Sequence, residues 1–183
     1  MTNTLFQQLA DIYATMDRTW DRTASQYGFH CTGCEDNCCT SLFFHHTFVE
    51  RAFLIQGFEQ LGPDIKKEVL ARAKIYYQKT FPDGKMPVSL KLMCPLNQDG
   101  RCLVYGARPM ICRLHGLPHE LHRPGSALVK GPGCHAGRFN ETPYIPFDRT
   151  PFYKEMATIE MKFRQTTGKA GKIKETVAQM LLF

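Results

Sequence analysis

No run of apolar residues in the chain approaches the roughly 18 that a membrane-spanning helix needs, so no transmembrane segment is expected. The opening residues, Met-Thr-Asn-Thr-Leu-Phe-Gln-Gln-Leu-Ala-Asp, have no basic cluster and no unbroken apolar stretch, which argues against a secretory signal. Internal repeats, low-complexity tracts and Gly/Ser linkers are missing, so a single domain over residues 1–183 is expected. There is no G-x-G-x-x-G loop for a nucleotide or methyl donor, no P-loop and no Ser/His/Asp elbow. Base-stacking aromatics are scarce among the basic residues, which counts against single-stranded nucleic acid.

Cysteine, by contrast, is abundant. The chain has 8 in 183 residues, and Cys31, Cys34, Cys38 and Cys39 crowd into one short run. Cys94, Cys102, Cys112 and Cys134 form a second, looser group. Thiols at that density are expected to be either oxidised to disulfides or deprotonated onto metal. Disulfide scaffolds are mostly small domains that cannot otherwise hold together. This chain is long enough to bury a core, with 43% hydrophobic and 22% charged residues. Without a leader the expected compartment is the cytoplasm, where thiols stay reduced, and metal becomes the favoured reading. A secreted mature fragment with disulfides is the alternative.

The formal charge of +6 counts thiols as neutral. Eight thiolates around two divalent centres would bring it down to about +2. The charge is also uneven: residues 1–60 hold three basic residues, Arg18, Arg22 and Arg51, against seven acidic ones. Part of the basic remainder is therefore expected to neutralise a thiolate-rich centre, and the charge alone does not call for DNA or RNA.

Helical periodicity is clear outside the cysteine region. Leu5, Leu9, Ile12, Met16 and Trp20 predict an amphipathic helix over 4–24, and further helices are expected over 46–61 and 64–80. Gly62-Pro63 separates those two, and Phe81-Pro82-Asp83-Gly84 predicts a turn. Residues 86–137 are rich in Pro and Gly. They predict loops, short strands at Val88–Met93 and Ala127–Lys130, and a short helix near 109–115. Thr150-Pro151 reads as an N-cap and first helical residue of a helix carrying Met156, Ile159 and Phe163 to Thr167-Gly168. Residues 171–183 form a last amphipathic stretch with Ile173, Val177, Met180 and Leu181. The expected fold is mainly α: amphipathic helices, 4–24 and 150–183 at the flanks, around an irregular, metal-organised cysteine-rich region with short β segments, about 28–135.

The cysteine spacings narrow the metal chemistry. Cys31-x2-Cys34 is a chelating pair, but the later gaps of seven, nine and twenty-one residues do not repeat it, so ordinary zinc-finger folds fit poorly. A tight run completed by distant cysteines is the habit of iron–sulfur sites. Adjacent Cys38 and Cys39 point in different directions, so they serve two centres, or one ligates while the other is a buried apolar thiol. Pro95 restricts Cys94 to extended backbone, and Asn97-Gln98-Asp99-Gly100 predicts a turn folding Cys94 and Cys102 toward each other. Arg108, before Pro109, would sit near a helix start, where its guanidinium can stabilise a thiolate-bound centre. The plainer readings make Arg108 a structural cation and Tyr105 a core aromatic.

The run Cys31-x2-Cys34…Cys38-Cys39, followed by Cys94-Pro95…Gly100-x-Cys102-x-Val104-Tyr105-x-x-Arg108-Pro109-x-x-Cys112-Arg113, resembles the zinc- or iron-chelating cysteine-cluster family, the CxxCxxCC or YkgJ-like proteins. The resemblance covers roughly residues 28–135. Three residues, where that family has two, separate Cys34 from Cys38, so either Cys38 or Cys39 takes the ligand position. The resemblance implies metal held by Cys31, Cys34, Cys38, Cys39, Cys94, Cys102, Cys112 and Cys134, as an iron–sulfur cluster or zinc, with Tyr105, Arg108 and Arg113 beside it. A related cysteine domain occurs in flagellin lysine N-methylases, but no methyl-donor loop accompanies it here.

Histidines are secondary candidates. His30 and His135 adjoin Cys31 and Cys134 and could replace or support a ligand. His45 and His46 are expected on the surface or in packing. His115, His119 and His122 are expected as solvated loop residues, since His119-Glu120-Leu121-His122 is not H-E-x-x-H. The expected function is a metal-binding protein of redox, metal-handling or reaction-supporting role, with room for a protein partner. An enzyme using the centre directly is one alternative, with a pocket near Tyr105, Arg108 and His115. A structural zinc module on nucleic acid is the other.

Overall fold

A computed structural model describes residues 2–31, 38–84, 87–123 and 125–183. Among them the chain is mainly helical, with two small two-stranded antiparallel sheets, in line with the expected fold class. The residues cluster into two compact units, each discontinuous in sequence: Met1–Asp36 with Met110–Lys169, and Asn37–Pro109 with Ala170–Phe183.

In the first unit, α1 (Thr2–Gln26) buries Leu5, Leu9, Tyr13 and Met16, a stripe at helical spacing. That stripe packs against α5 (Thr150–Thr167), which buries Phe152, Met156, Ile159 and Phe163. Phe6 stacks on Phe163 with ring centroids 6.3 Å apart. Full burial of one such side chain stabilises by about 1.5–3 kcal/mol. α4 (Met110–Leu114) also packs on α1. β3 (Pro118–Leu121) pairs with β4 (Val129–Pro132), placing His119 opposite Gly131. The sequence placed the second of these strands two residues early, at Ala127–Lys130.

Thr150 is not the cap of α5 that its place before Pro151 suggested. Arg149 occupies the N-cap position, and Thr150 is the first helical residue. Asp148 Oδ1 accepts the Thr150 N–H at 2.8 Å, while Thr150 Oγ1 accepts from His122 N at 2.8 Å. The hydroxyl is therefore spent on the segment after β3 and the carboxylate does the capping. Gly168 ends the helix in the left-handed region at φ 68°, as the sequence predicted.

In the second unit, α2 (Phe48–Glu59), α3 (Pro63–Thr80) and α6 (Val177–Leu182) enclose a core of Leu54, Phe58, Val69, Ala73, Leu96 and Met180. Cys94 and Cys102 pack against that core. Thr176 and Gln179 form a reciprocal capping box at the start of α6. The predicted strand at Val88–Met93 is not formed: among the described residues no strand pairs with this segment, and Val88, Leu90 and Met93 are exposed. The strands instead form across the next turn, β1 (Asn97–Gln98) against β2 (Arg101–Cys102). Asp99 and Gly100, at φ 50° and 82°, make the two-residue turn whose twist suits a hairpin.

Candidate metal centre

The hairpin fixes the second cysteine group. Asn97 pairs with Cys102 across β1–β2, and Leu103 N donates to Leu96 O at 2.8 Å, so Cys94 and Cys102 are folded toward each other as the turn predicted. Cys38 and Cys39 begin a 3-10 turn, Cys38–Thr40. From it, Cys39 O accepts the Cys94 N–H at 2.8 Å. Two cysteines separated in sequence by α2 and α3 are thus joined through their backbones in one unit.

Their thiols sense one another. Burial pushes the Cys94 thiol up to about 12, and the neighbouring Cys102 and Cys39 push in the same direction. Cys39 moves the other way, to about 6: a hydrogen bond from Cys38 outweighs the cost of burial, and Asn97 and then Arg108 add to it. These groups hold the Cys39 thiol well below the usual cysteine range and so favour its thiolate.

Three basic or amide groups surround this cluster. Arg72, on α3, donates through Nη1 to Asn97 O at 3.1 Å, and its charge favours the Cys94 thiolate. Its Nε and Nη2 are buried with no hydrogen-bond partner among the described residues. Asn97 Oδ1 accepts from Gly100 N at 3.1 Å. Its buried Nδ2 makes no hydrogen bond of regular geometry, yet lies close enough to favour the Cys39 thiolate. Arg108 follows the 3-10 turn Tyr105–Ala107, its guanidinium 3.8 Å from the Tyr105 ring centre. That turn approaches α2 at Gly57, where an added Cβ would lie 2.8 Å from Ala107 Cβ. Tyr105 itself is exposed, so the core-aromatic reading fails for it.

The donor set fits a thiolate-bound metal. The buried Arg72 Nε and Nη2 and Asn97 Nδ2, which have no hydrogen-bond partner of regular geometry among the described residues, suit a centre whose sulfurs carry net negative charge. Cys39, Cys94 and Cys102 would hold such a group, with Cys38 donating to the Cys39 sulfur, and the group would supply a fold cross-link as zinc or an electron-transfer centre as an iron–sulfur cluster. No three His, Cys, Asp or Glu side chains among the described residues already converge on one point, and no two described cysteines form a disulfide.

The remaining candidates lie in the other unit, except Cys34, which falls outside the described residues. Cys31 is exposed just beyond α1, Cys112 is on α4, and Cys134 precedes the 3-10 turn His135–Gly137. Cys134 N donates to Gly116 O at 2.8 Å, tying it to the segment after α4. Phe29, two residues before Cys31, packs edge-on against Phe139 and Trp20. Arg113 is buried and turned into α1, where it pairs with Asp17 and lies 4.1 Å from the Tyr13 ring centre. Its guanidinium serves the α1–α4 contact.

The histidines divide. His30 and His135 are exposed. His45 is buried and joined by paired backbone bonds to Glu175, while His46 is exposed. His115 and His119 are not solvated loop residues: both are half-buried, and burial first, then Arg149, holds each below the usual imidazole range. The reason is Arg149, whose buried guanidinium donates to Leu114 O and Leu117 O and draws that segment inward. Arg72 and Asn97 are the groups the sequence did not offer as site residues. Asn97 read only as a turn former, and Arg72 lies within the predicted helix 64–80 with nothing local to single it out.

Compared with known proteins, the chain matches no family model, no curated protein and no solved structure. No helix among the described residues is long and apolar enough to cross a membrane.

Proposed function

We propose that this protein binds metal through its cysteines, as an iron–sulfur cluster or zinc, with Cys39, Cys94 and Cys102 at one centre and Cys38 donating to the Cys39 sulfur. Cys31, Cys112 and Cys134, with Cys34 from the sequence, supply thiolates for a second. The observation that carries the reading is the backbone bond from Cys94 to Cys39, with a stabilised thiolate at Cys39 and the Cys102 thiol beside them. Arg72, Asn97 and Arg108 then act as the outer partners that thiolate centres require. The resemblance of the sequence to the cysteine-cluster family supports the same conclusion. The proposed role is redox, metal handling or support of a reaction.

Cobalt(II) titration of the reduced, chelator-treated protein tests this. Thiolate ligation produces sulfur-to-cobalt charge-transfer absorption, whose intensity should fall in Cys39→Ser and Cys94→Ser. A cobalt spectrum without that absorption would remove the proposal.

A further inference from the structure

The unit built on α1, α4 and α5 holds an open cleft of about 600 Å³ that the cysteine chemistry does not explain. β4, the 3-10 turns at 135–141, Tyr27 and Tyr144 bound it. Lys130, His135 and Arg138 line it, and no carboxylate is among the described residues that do. The volume is that of a site for a small organic molecule.

Its walls are set by the fold. At Gly131 an added Cβ would lie 2.2 Å from His119 Cε1, and at Gly133, φ +82°, 2.7 Å from Phe139 Cδ2. Only bare backbone fits at these two positions, which fixes the course of β4 and of the segment leading to Cys134 along the cleft. Tyr27 is held from both sides by one residue: its hydroxyl donates to Ile145 O at 3.2 Å and accepts from Ile145 N at 2.7 Å. The Lys130 ammonium stands 5.2 Å from the Tyr144 ring centre.

Arg138 is the feature that points to a ligand. It adopts φ 46°, ψ 37°, a left-handed conformation in which glycine or asparagine would be unstrained. A long cation at that position, facing a cleft with a second cation and no acid, is strain of the kind that functional sites retain. Guanidinium and ammonium together match an oxyanion, the first bidentately and the second as a point charge.

We propose that this cleft binds a small organic oxyanion, a phosphate or carboxylate compound, with Arg138 as its main anchor and Lys130 as its second charge. Cys134 is on the cleft wall, so the bound compound would lie beside a cysteine of the proposed second centre. The oxyanion site itself does not depend on metal.

Isothermal titration calorimetry on the full chain, purified anaerobically, tests it with glycerol phosphate and succinate as probes. Binding of either probe, weakened by added salt and reduced at least tenfold in Arg138→Gly, is expected. Glycine relieves the backbone strain, so that variant should melt no lower than the parent. Lys130→Ala should reduce affinity by a smaller factor. Binding of glycerol phosphate alone identifies a phosphate site, and of succinate alone a carboxylate site. Failure of both probes, or unchanged affinity in Arg138→Gly, overturns the proposal. Cys112→Ser, whose residue does not line the cleft, separates the two readings, because it should lower metal content and leave probe affinity in place.

Discussion

Cys94 donates its backbone N–H to the carbonyl oxygen of Cys39 at 2.8 Å, although two helices lie between them in the chain. This bond and the β1–β2 hairpin bring the thiols of Cys39, Cys94 and Cys102 into one electrostatic neighbourhood. On the proposed function, metal-binding free energy would be folding free energy for a unit whose connecting backbone is irregular. Cys94→Ser is expected to lose metal and lower the melting temperature, by differential scanning fluorimetry, more than Cys31→Ser, whose residue is exposed. Equal metal content and melting temperature in parent and both variants would contradict this.

The Cys39 thiolate is held by identifiable groups, so its reactivity should follow them in order. In the reduced, chelator-treated protein, alkylation of Cys39 by iodoacetamide should show an apparent midpoint near pH 6. Cys38→Ala should move that midpoint up the most, Asn97→Ala less and Arg108→Ala least. Peptide mass mapping of the alkylated site across pH reads each shift.

Arg72 places two buried nitrogens without hydrogen-bond partners among the described residues near Cys94. Arg72→Gln should weaken metal binding by about 10–100-fold, the usual cost of removing an outer partner. Competition with a chromophoric chelator measures it. A change confined to thermal stability would make Arg72 a packing residue only.

Most of the helical frame is legible in the sequence, because apolar spacing alone sets the buried faces of α1, α3 and α5. The turn between Cys94 and Cys102 is legible too, since Asp-Gly encodes two positive φ angles. The extended segment 88–93 is not: its alternating apolar residues suit a strand, but strand formation needs a partner that only the tertiary fold can supply. Arg113 shows the same limit. The motif links it to Cys112, yet helical geometry points it into α1 and onto Asp17. Likewise nothing local marks Arg72, whose neighbourhood to Cys94 exists only once β1–β2 folds back on α3.

His45 gives a pH dependence separate from the cysteines. Burial first, and then His46, lowers it to about 4 from an ordinary 6.5, and its Nε2 is buried without a hydrogen-bond partner among the described residues. The folded state therefore binds its proton less readily than the unfolded chain. The associated stability is full above about pH 6.5 and is lost as pH falls toward 4, by about 3 kcal/mol at most. Urea unfolding at pH 7 and pH 4.5 should show a smaller pH difference in His45→Gln than in the parent.

Gly57 tests the support of Arg108. Gly57→Ala brings a Cβ to 2.8 Å from Ala107 Cβ, so the turn Tyr105–Ala107 must shift. A loss of about 1–3 kcal/mol in unfolding free energy is expected. Weaker metal binding should accompany it, because Arg108 follows directly on that turn.

The most direct measurement is elemental analysis with an absorption spectrum on one anaerobically purified sample, parent beside Cys39→Ser and Cys94→Ser. Stoichiometric zinc, or iron with sulfide and a broad visible band, reduced in both variants, is the predicted result. A parent protein with no bound metal and eight titratable thiols would contradict the account.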